Sequence, residues 1–403
     1  MLEEENLRKD IHIFLIAGEA SGDALGAKLM HALKKKENSK PIRFSGIGGD
    51  KMIAEGLRSL FNMSELSVMG FTEVLPHIRK LKRRIDDLAE IIADARPDML
   101  ITIDSPGFCT RVVKKLRKKY GYDLPIVHYV APTVWAYKPK RARKFARLFD
   151  HLLVLLPFEP PYFEAEGLKT TFVGHPIIEE PIYYGEGRHF RLIRNIAPSS
   201  LVITVLAGSR EGEIARLLPI YKETLITLAK NIRDMTVVVP TVSHLHEKVE
   251  TAVKDWPFRM IVTADNDEKY AAYAASKVAL AKSGTATLEL AMARVPMVVT
   301  YKVSPVSAWL LKRMIKVPYV TLVNLIMQQQ VIPELLQRNS TPKKLSKALE
   351  SLILERSTSE AQVLGCQEAL KKLGKGSTPL PSDKAADVIL QMINSPASHE
   401  EKE

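Results

Sequence analysis

Along the first half of the chain, short runs of β-branched and aliphatic residues alternate with stretches whose apolar positions repeat at helical spacing. Strands are predicted at His12–Gly18, Met99–Asp104, Pro125–Val130 and His151–Pro157, with helices at Ala24–Lys36, Ile78–Ala95 and Thr110–Tyr120. Strands this short and this continuously apolar, separated by amphipathic helices, predict a parallel sheet covered on both faces. The rhythm breaks between Pro176 and Asn195, where Pro, Gly, Tyr and charged residues follow no period, and an interdomain linker is expected there. It resumes with strands at Leu201–Ala207, Met235–Pro240, Met260–Thr263, Val278–Ala281 and Pro296–Tyr301. Beyond Pro342 the pattern is helical at Lys343–Glu355, Glu360–Leu373 and Asp383–Asn394, interrupted by a Gly/Ser/Pro-rich stretch at Gly374–Pro381. The last Glu, Lys, Ser and His residues are expected to be disordered.

The expected fold class is therefore α/β, with two Rossmann-like parallel-sheet domains facing a cleft and C-terminal helices. The domains are drawn at 1–175 and 176–345, and 346–403 is read as a helical tail that packs back on the first domain. At 403 residues the chain exceeds one ordinary core, which agrees with two domains. Ligands of open parallel sheets sit outside the carboxyl ends of the strands, so chemistry is expected at those ends.

Four of them carry residues that packing does not call for. Gly18-Glu19-Ala20-Ser21-Gly22-Asp23 joins the first strand to its helix. Its glycines permit a sharp turn and a close ligand, and free helix N–H groups attract anions. The spacing is not that of the G-x-G-x-x-G dinucleotide fingerprint. A tight turn capped by Ser21 or Asp23 is the competing reading, although capping does not explain Glu19. Asp104, in Ile103-Asp104-Ser105-Pro106-Gly107-Phe108, is a candidate general base for an attacking hydroxyl. It is otherwise a cap of the next helix, from which Pro106 and Gly107 separate it.

In the second half, Gly208-Ser209-Arg210 with Glu213 offers N–H groups, a hydroxyl and a guanidinium that suit a departing diphosphate. The alternative is a surface ion pair between Arg210 and Glu213. Lys282-Ser283-Gly284-Thr285-Ala286-Thr287 with Glu289 offers a second set of phosphate contacts, and Glu289 a partner for ribose hydroxyls. Here the alternative is an ordinary helix start with an acidic first turn. As a pair, the two motifs describe a nucleotide diphosphate site better than either does alone. A further segment, His128 to Tyr137, is aromatic and leads into Lys138, Lys140, Arg141, Arg143 and Lys144. It suits a phosphorylated, partly apolar acceptor, or else a solvated basic helix.

Charge narrows the partners. The net charge of +12, from 58 Lys and Arg against 46 Asp and Glu, favours an anionic partner. No aromatic-studded RNA-reading motif accompanies it, so nucleic acid is the weakest candidate beside an anionic membrane or phosphorylated substrates. No apolar run reaches the ~18 residues of a spanning helix. Ile11–Gly18 lacks the basic n-region and cleavage site of a signal peptide, so a cytosolic protein is expected. Cys109 and Cys366 are read as ordinary thiols. No Asp-x-Asp string is read as a metal site, so neither a metal nor any other cofactor is expected. The apolar stretch Leu66–Leu75, ahead of His77, Arg79, Lys80, Lys82, Arg83 and Arg84, is either an interfacial wedge beside a basic cluster or core.

The strings AGEASGD (17–23), SVMGFTEVLP (67–76), IDSPGF (103–108), HYVAPTVWAYK (128–138), LPFE (156–159), FVGHP (172–176), GSR (208–210), SGTATLE (283–289) and YVTLVNL (319–325) run in one order through the chain. In that order they resemble the lipid-A-disaccharide synthase family, inverting glycosyltransferases (glycosyltransferase family 19) of the GT-B fold. IDSPGF departs from the commoner I-D-A-P-D-F, and VAPTVWAYK from Y-V-S-P-S-V-W-A-W. Both keep the chemically relevant groups. The resemblance implies transfer of 2,3-diacylglucosamine from UDP-diacylglucosamine to diacylglucosamine 1-phosphate, giving a β-1,6-linked disaccharide phosphate and UDP. It implies Asp104 as the base toward the acceptor 6-hydroxyl and Arg210 at the diphosphate. Gly208, Ser209, Ser283, Gly284, Thr285, Glu289 and Asn324 are implied at the nucleotide sugar. Glu19, Ser21, Asp23, His128 and Trp135 are implied on the acceptor side of the cleft. Val68, Met69, Phe71 and Leu75 are the expected contacts with acyl chains or the anionic inner-membrane surface, on whose cytoplasmic face the protein is expected to sit peripherally. A homodimer is left open. A sugar-nucleotide epimerase, which needs no acceptor, and a non-catalytic lipid- or nucleotide-binding module are the rival readings.

Overall fold

The computed structural model describes residues 10–36, 40–63, 74–121, 124–182, 187–304 and 317–394; side chains of 74–81 are not among what it describes. Val68, Met69 and Phe71 lie outside these residues, as do the Leu75 side chain and the terminal 395–403. The chain forms two compact units, Met1–Pro176 with Ser377–Glu403, and Ile177–Gly376.

Among the described residues, the first unit holds a seven-stranded sheet in the order β3-β2-β1-β4-β5-β6-β7. Its strands are β1 (Ile11–Ala17), β2 (Ile42–Ile47), β3 (Arg58–Ser59), β4 (Met99–Ile103), β5 (Ile126–Tyr129), β6 (His151–Val154) and β7 (Lys169–Phe172). Neighbouring strands pair in parallel. Successive side chains of a strand point to opposite faces. Phe14 and Ile16 of β1 therefore enter one apolar cluster with Val112 and Leu116, while Ile13, Leu15 and Ala17 enter another with Leu29 and Leu33. Both faces of the strand are dry, which is why it reads as an unbroken apolar run.

The second unit repeats the plan with β8 (Leu201–Leu206), β9 (Met235–Pro240), β10 (Arg259–Thr263), β11 (Val278–Lys282), β12 (Met297–Tyr301) and β13 (Glu334–Leu336). Its order is β10-β9-β8-β11-β12-β13, again parallel. In each sheet the direction of winding reverses once, between β1 and β4 in the first and between β8 and β11 in the second. At such a switch point the loops that leave two adjacent strands run to opposite sides and open a space between them.

Four strands escape the hydrophobic pattern, namely β2, β3, β7 and β13. β2 carries Arg43 and Ser45, β7 is Lys-Thr-Thr-Phe and only half-buried, and β3 and β13 span two and three residues. Such marginal strands bury too little to show a period.

The stretch 346–403 does not stay together as one tail. Leu345, Leu349 and Leu352 of the helix Pro342–Leu354 belong to the apolar cluster of the second unit. Gln362 of the helix Arg356–Lys372 is buried there, and its amide brackets the Met297 backbone, accepting from N–H at 2.6 Å and donating to C=O at 3.1 Å. Only the helix Pro381–Asn394 joins the first unit, where Ala385, Ala386 and Ile389 pack with Leu29 and Leu33, and Asp387 pairs with Lys36. An amphipathic stripe reports that a helix face is buried but not against which sheet.

Four histidines, His12, His128, His151 and His175, are buried, and burial lowers the pKa of each. Burial lowers His128 to about 3, His151 to about 4 and His175 to about 4. Burial also raises the Glu159 carboxyl to about 7, against the pull of hydrogen bonds from Trp135 and Leu156 N–H. As pH falls from about 6.5, each histidine is protonated in the unfolded chain before the folded one, which removes about 1.4 kcal/mol of stability per pH unit. Glu159 works in the opposite sense, because below about 7 the folded state takes its proton first. The histidines outnumber it, so we expect urea midpoints to fall between pH 6.5 and 5, and His128→Phe to flatten that slope. An identical slope in the variant would contradict a neutral buried His128.

Candidate active site

The first-unit switch point brings the Gly18 and Asp104 motifs together. β1 and β4 pair with Ala17 beside Ile103, so the two loops leave the sheet at one level. Asp104 and Ser105 both take left-handed backbone angles, with φ of 55° and 43°. For residues other than glycine this conformation is costly and concentrates at functional loops. The turn carries Ser105 onto Gly18, where a Cβ would stand 2.8 Å from the Ser105 hydroxyl oxygen, so glycine is required. The Asp104 carboxylate accepts from Ser21 Oγ at 2.9 Å and from the Ser105 N–H at 2.8 Å. Ser105 Oγ donates to Glu19 Oε1 at 3.4 Å. Asp104 is half-buried, Glu19 and Ser21 are exposed, and Asp104 has no ion pair among the described residues. The carboxylate is thus oriented by neutral donors, which hold it in place.

The second-unit switch point is built alike. β8 and β11 pair with Leu206 beside Ala281, and a cavity of about 260 Å³ opens above them, lined by Gly208, Ser209, Thr241, Gly284, Thr285 and Glu289 among others. Gly208 has φ of 109°, and a Cβ on it would meet a Glu213 carboxylate oxygen at 2.3 Å. Glu213 does not pair with Arg210. It pairs with Lys282 at 3.0 Å and accepts from the Ser209 N–H at 3.3 Å, so the exposed Arg210 has no ion pair among the described residues. Gly284 is different, since no non-neighbouring atom of the described residues lies within 4 Å of the place a Cβ would take. Glu289 accepts from Lys269 Nζ and Tyr273 Oη, both at 3.2 Å. Thr241 Oγ1 is buried at this cavity with no hydrogen-bond partner among the described residues. Convergent N–H groups, hydroxyls and a positioned carboxylate are the fittings of a nucleotide pocket.

Several expected site residues turn out to hold the fold. Asn324 is fully buried, its Nδ2 donating to Ile332 O and Glu334 Oε1 and its Oδ1 accepting from the N–H groups of Val331 and Ile332, each at 2.8 Å. Its amide has no capacity left for a nucleotide. Asp23 is buried and accepts from the N–H groups of Gly49, Lys51 and Met52, capping the helix Asp50–Ala54 and not its own. His128 is fully buried, its ring packed with those of Phe145 and Phe149 and its Nδ1 2.6 Å from Thr102 Oγ1, so it is not open to an acceptor. Trp135 is half-buried, donates to Glu159 at 3.1 Å and meets Phe158 edge-on. The helix Arg141–Ala146 buries Ala142 and Phe145 and leaves Arg143 and Lys144 in solvent, as a solvated basic helix does. An Asp-x-Asp string does occur, Asp265-Asn266-Asp267, and Asp265 serves there as an N-cap on the Glu268 N–H at 2.8 Å.

Lys269, Tyr273 and Thr241 were not legible as site residues. Two come from the middle of the helix Asn266–Ala275, away from any glycine or strand tip, and Thr241 follows the tip of β9 in a stretch without glycine. Lys282 stood in the fourth motif without a role.

Two parallel switch-point sheets in one chain, the second with a cavity at its switch point, are the arrangement of the GT-B fold. The fold is shared with MurG of Acinetobacter baumannii (14% identical, TM-score 0.56, covering 95% of this chain and 100% of that one). It is also shared with CalG4, the calicheamicin glycosyltransferase (15%, TM-score 0.60, 95% and 98%), and with MnaA of S. aureus, solved with UDP (14%, TM-score 0.63, 95% and 96%). The chain belongs to the lipid-A-disaccharide synthase family, glycosyltransferases of lipid A biosynthesis. The family model for lipid-A-disaccharide synthetase matches residues 13–388. Relatives named lipid-A-disaccharide synthase include that of Rhodospirillum centenum, 48% identical over 96% of this chain and 95% of its own length. That of Paramagnetospirillum magneticum is 48% identical over 94% and 97%.

Asn324→Ala leaves buried N–H and C=O groups unpaired, each costing about 1–3 kcal/mol. We expect chemical denaturation to show a loss of that order or more, with uridine affinity of the folded fraction unchanged. A variant that kept full stability and lost nucleotide would return Asn324 to the site.

Proposed function

We propose that this chain transfers 2,3-diacylglucosamine from its UDP conjugate to the 6-hydroxyl of 2,3-diacylglucosamine 1-phosphate, releasing UDP and the β-1,6-linked lipid A disaccharide 1-phosphate. Membership of the family supports the reaction. The observation that carries the chemical assignment is Asp104, a carboxylate at a switch point with two neutral donors and no cation among the described residues.

In this reading Asp104 takes the proton of the acceptor hydroxyl, and the freed electron pair forms the new bond to the anomeric carbon. The bond from that carbon to the UDP oxygen breaks, and the pair leaves with UDP. One displacement from the opposite face inverts the configuration. Arg210, the Gly208 N–H, the Ser209 hydroxyl and the N–H groups of Gly284 and Thr285 meet the charge that develops on the diphosphate. Glu289, fixed by Lys269 and Tyr273, receives the ribose hydroxyls. Glu19, Ser21 and Trp135 are the acceptor-side groups.

The acyl chains of both substrates require a lipid surface. No helix among the described residues is long and apolar enough to cross a membrane. Lys82 and Arg83, exposed on the helix Val74–Ala95, support a peripheral contact with anionic lipid on the cytoplasmic face of the inner membrane. Val68, Met69, Phe71 and Leu75 are proposed as its apolar part.

Mass spectrometry of products from the two diacylated substrates tests the reaction directly, and conversion of a UDP-sugar without acceptor would instead favour an epimerase. Asp104→Ala is expected to abolish transfer, by at least the ~100-fold typical of a lost general base, with UDP affinity retained. Full activity in that variant would sink the base assignment. Replacing Val68, Met69, Phe71 and Leu75 by Ser is expected to release the protein from anionic liposomes; unchanged sedimentation would refute the membrane contact.

A further inference from the structure

A second cavity, of about 320 Å³, lies beside the nucleotide cavity and shares Lys282 with it. Arg210, Arg216, Lys282 and Lys302 line it, and Glu213 is the one carboxylate among its lining residues. That carboxylate is already engaged by Lys282 at 3.0 Å and by the Ser209 N–H. Gly208 lacks the Cβ that would displace it, and the Ser209 N–H holds Glu213, and through it Lys282, in place. On its other side the Lys282 ammonium lies 5.5 Å from the centre of the Tyr301 ring. Arg216, from the helix Glu211–Leu228, donates to the Lys302 carbonyl at 3.4 Å, which draws its guanidinium to the exit of β12.

Arg210, Arg216 and Lys302 have no ion pair among the described residues. Gathering uncompensated cations around one cavity is unfavourable in the empty protein, and the repulsion is relieved by an anion of more than one charge. The position is also that of a ligand, at the carboxyl ends of β8, β11 and β12. Two guanidinium groups and two ammonium groups match the oxygen-rich, multiply charged surface of phosphate.

We propose that this cavity is a phosphate site, in which Arg216 and Lys302 extend the anion contact beyond Arg210, and Lys282, positioned by Glu213, is the cation common to both cavities. The inference rests on the nucleotide reading of the neighbouring cavity. Two phosphates could fill it, the terminal phosphate of the nucleotide or the phosphate of the acceptor, and the experiment separates them.

Arg216→Gln, Lys302→Gln and the double variant are titrated calorimetrically with uridine, UMP and UDP, and the KM for the phosphorylated acceptor is measured alongside. Loss of a charge-assisted contact is expected to weaken UDP on the order of tenfold per cation, with uridine unchanged. Unchanged UDP affinity with a similar rise in acceptor KM assigns the site to the acceptor phosphate and also supports the inference. Unchanged UDP affinity and unchanged acceptor KM overturn it. So does an equal loss for uridine and UDP, which marks general damage to the unit. A wild-type chain that binds neither uridine nor UDP fails on the nucleotide reading itself and takes this inference with it.

Discussion

A parallel strand covered on both faces cannot keep a charge along its length. Desolvating an unpaired ion is too costly, so reactive side chains are driven to the strand tips. At most tips the loop turns back over one face of the sheet and leaves no room. At a switch point two adjacent loops part, and the space between them is the one place where charged groups from two strands meet. Each unit has such a point, and each of the four strand-tip motifs sits at one of them. Ala17 and Ile103 bring Glu19, Ser21 and Asp104 to one edge, and Leu206 and Ala281 do the same for Gly208–Arg210 and Ser283–Glu289.

Glycine makes these meetings close enough to matter, in more than one way. Gly18 gives way to the Ser105 hydroxyl, and Gly208 gives way to the Glu213 carboxylate. In both cases the protein fills the space with a group that orients its neighbour. Gly284 gives way to nothing among the described residues. Its open side faces the cavity, where a bound phosphate can approach the backbone without meeting a side chain.

How much of this the sequence told depended on the kind of signal. The long central strands and the helices between them were legible because both report burial through a period. β3 and β13, only two and three residues long, have no period to read. The strand-tip position of Asp104 was legible because β4 before it is an unbroken apolar run. Asn324 misled because a motif string carries identity without burial. Only the backbone of Val331 and Ile332, folded onto its amide, shows that its hydrogen bonds are spent. Lys269 and Tyr273 were silent because their meeting with Glu289 is tertiary, made across 20 and 16 residues of chain by two helices.

The helix Pro381–Asn394 is the last described element in the chain, yet Ala385, Ala386 and Ile389 complete an apolar cluster begun by β1. During synthesis the first seven strands leave the ribosome long before that helix exists. The surface of Leu29 and Leu33 must then wait, uncovered, while the whole second unit is made and folds. Domains fold as units during synthesis, N-terminal ones first, and an incomplete one exposes apolar surface that chaperones recognise. The first unit of this chain begins first and finishes last, so its nascent form is the stage most exposed to aggregation.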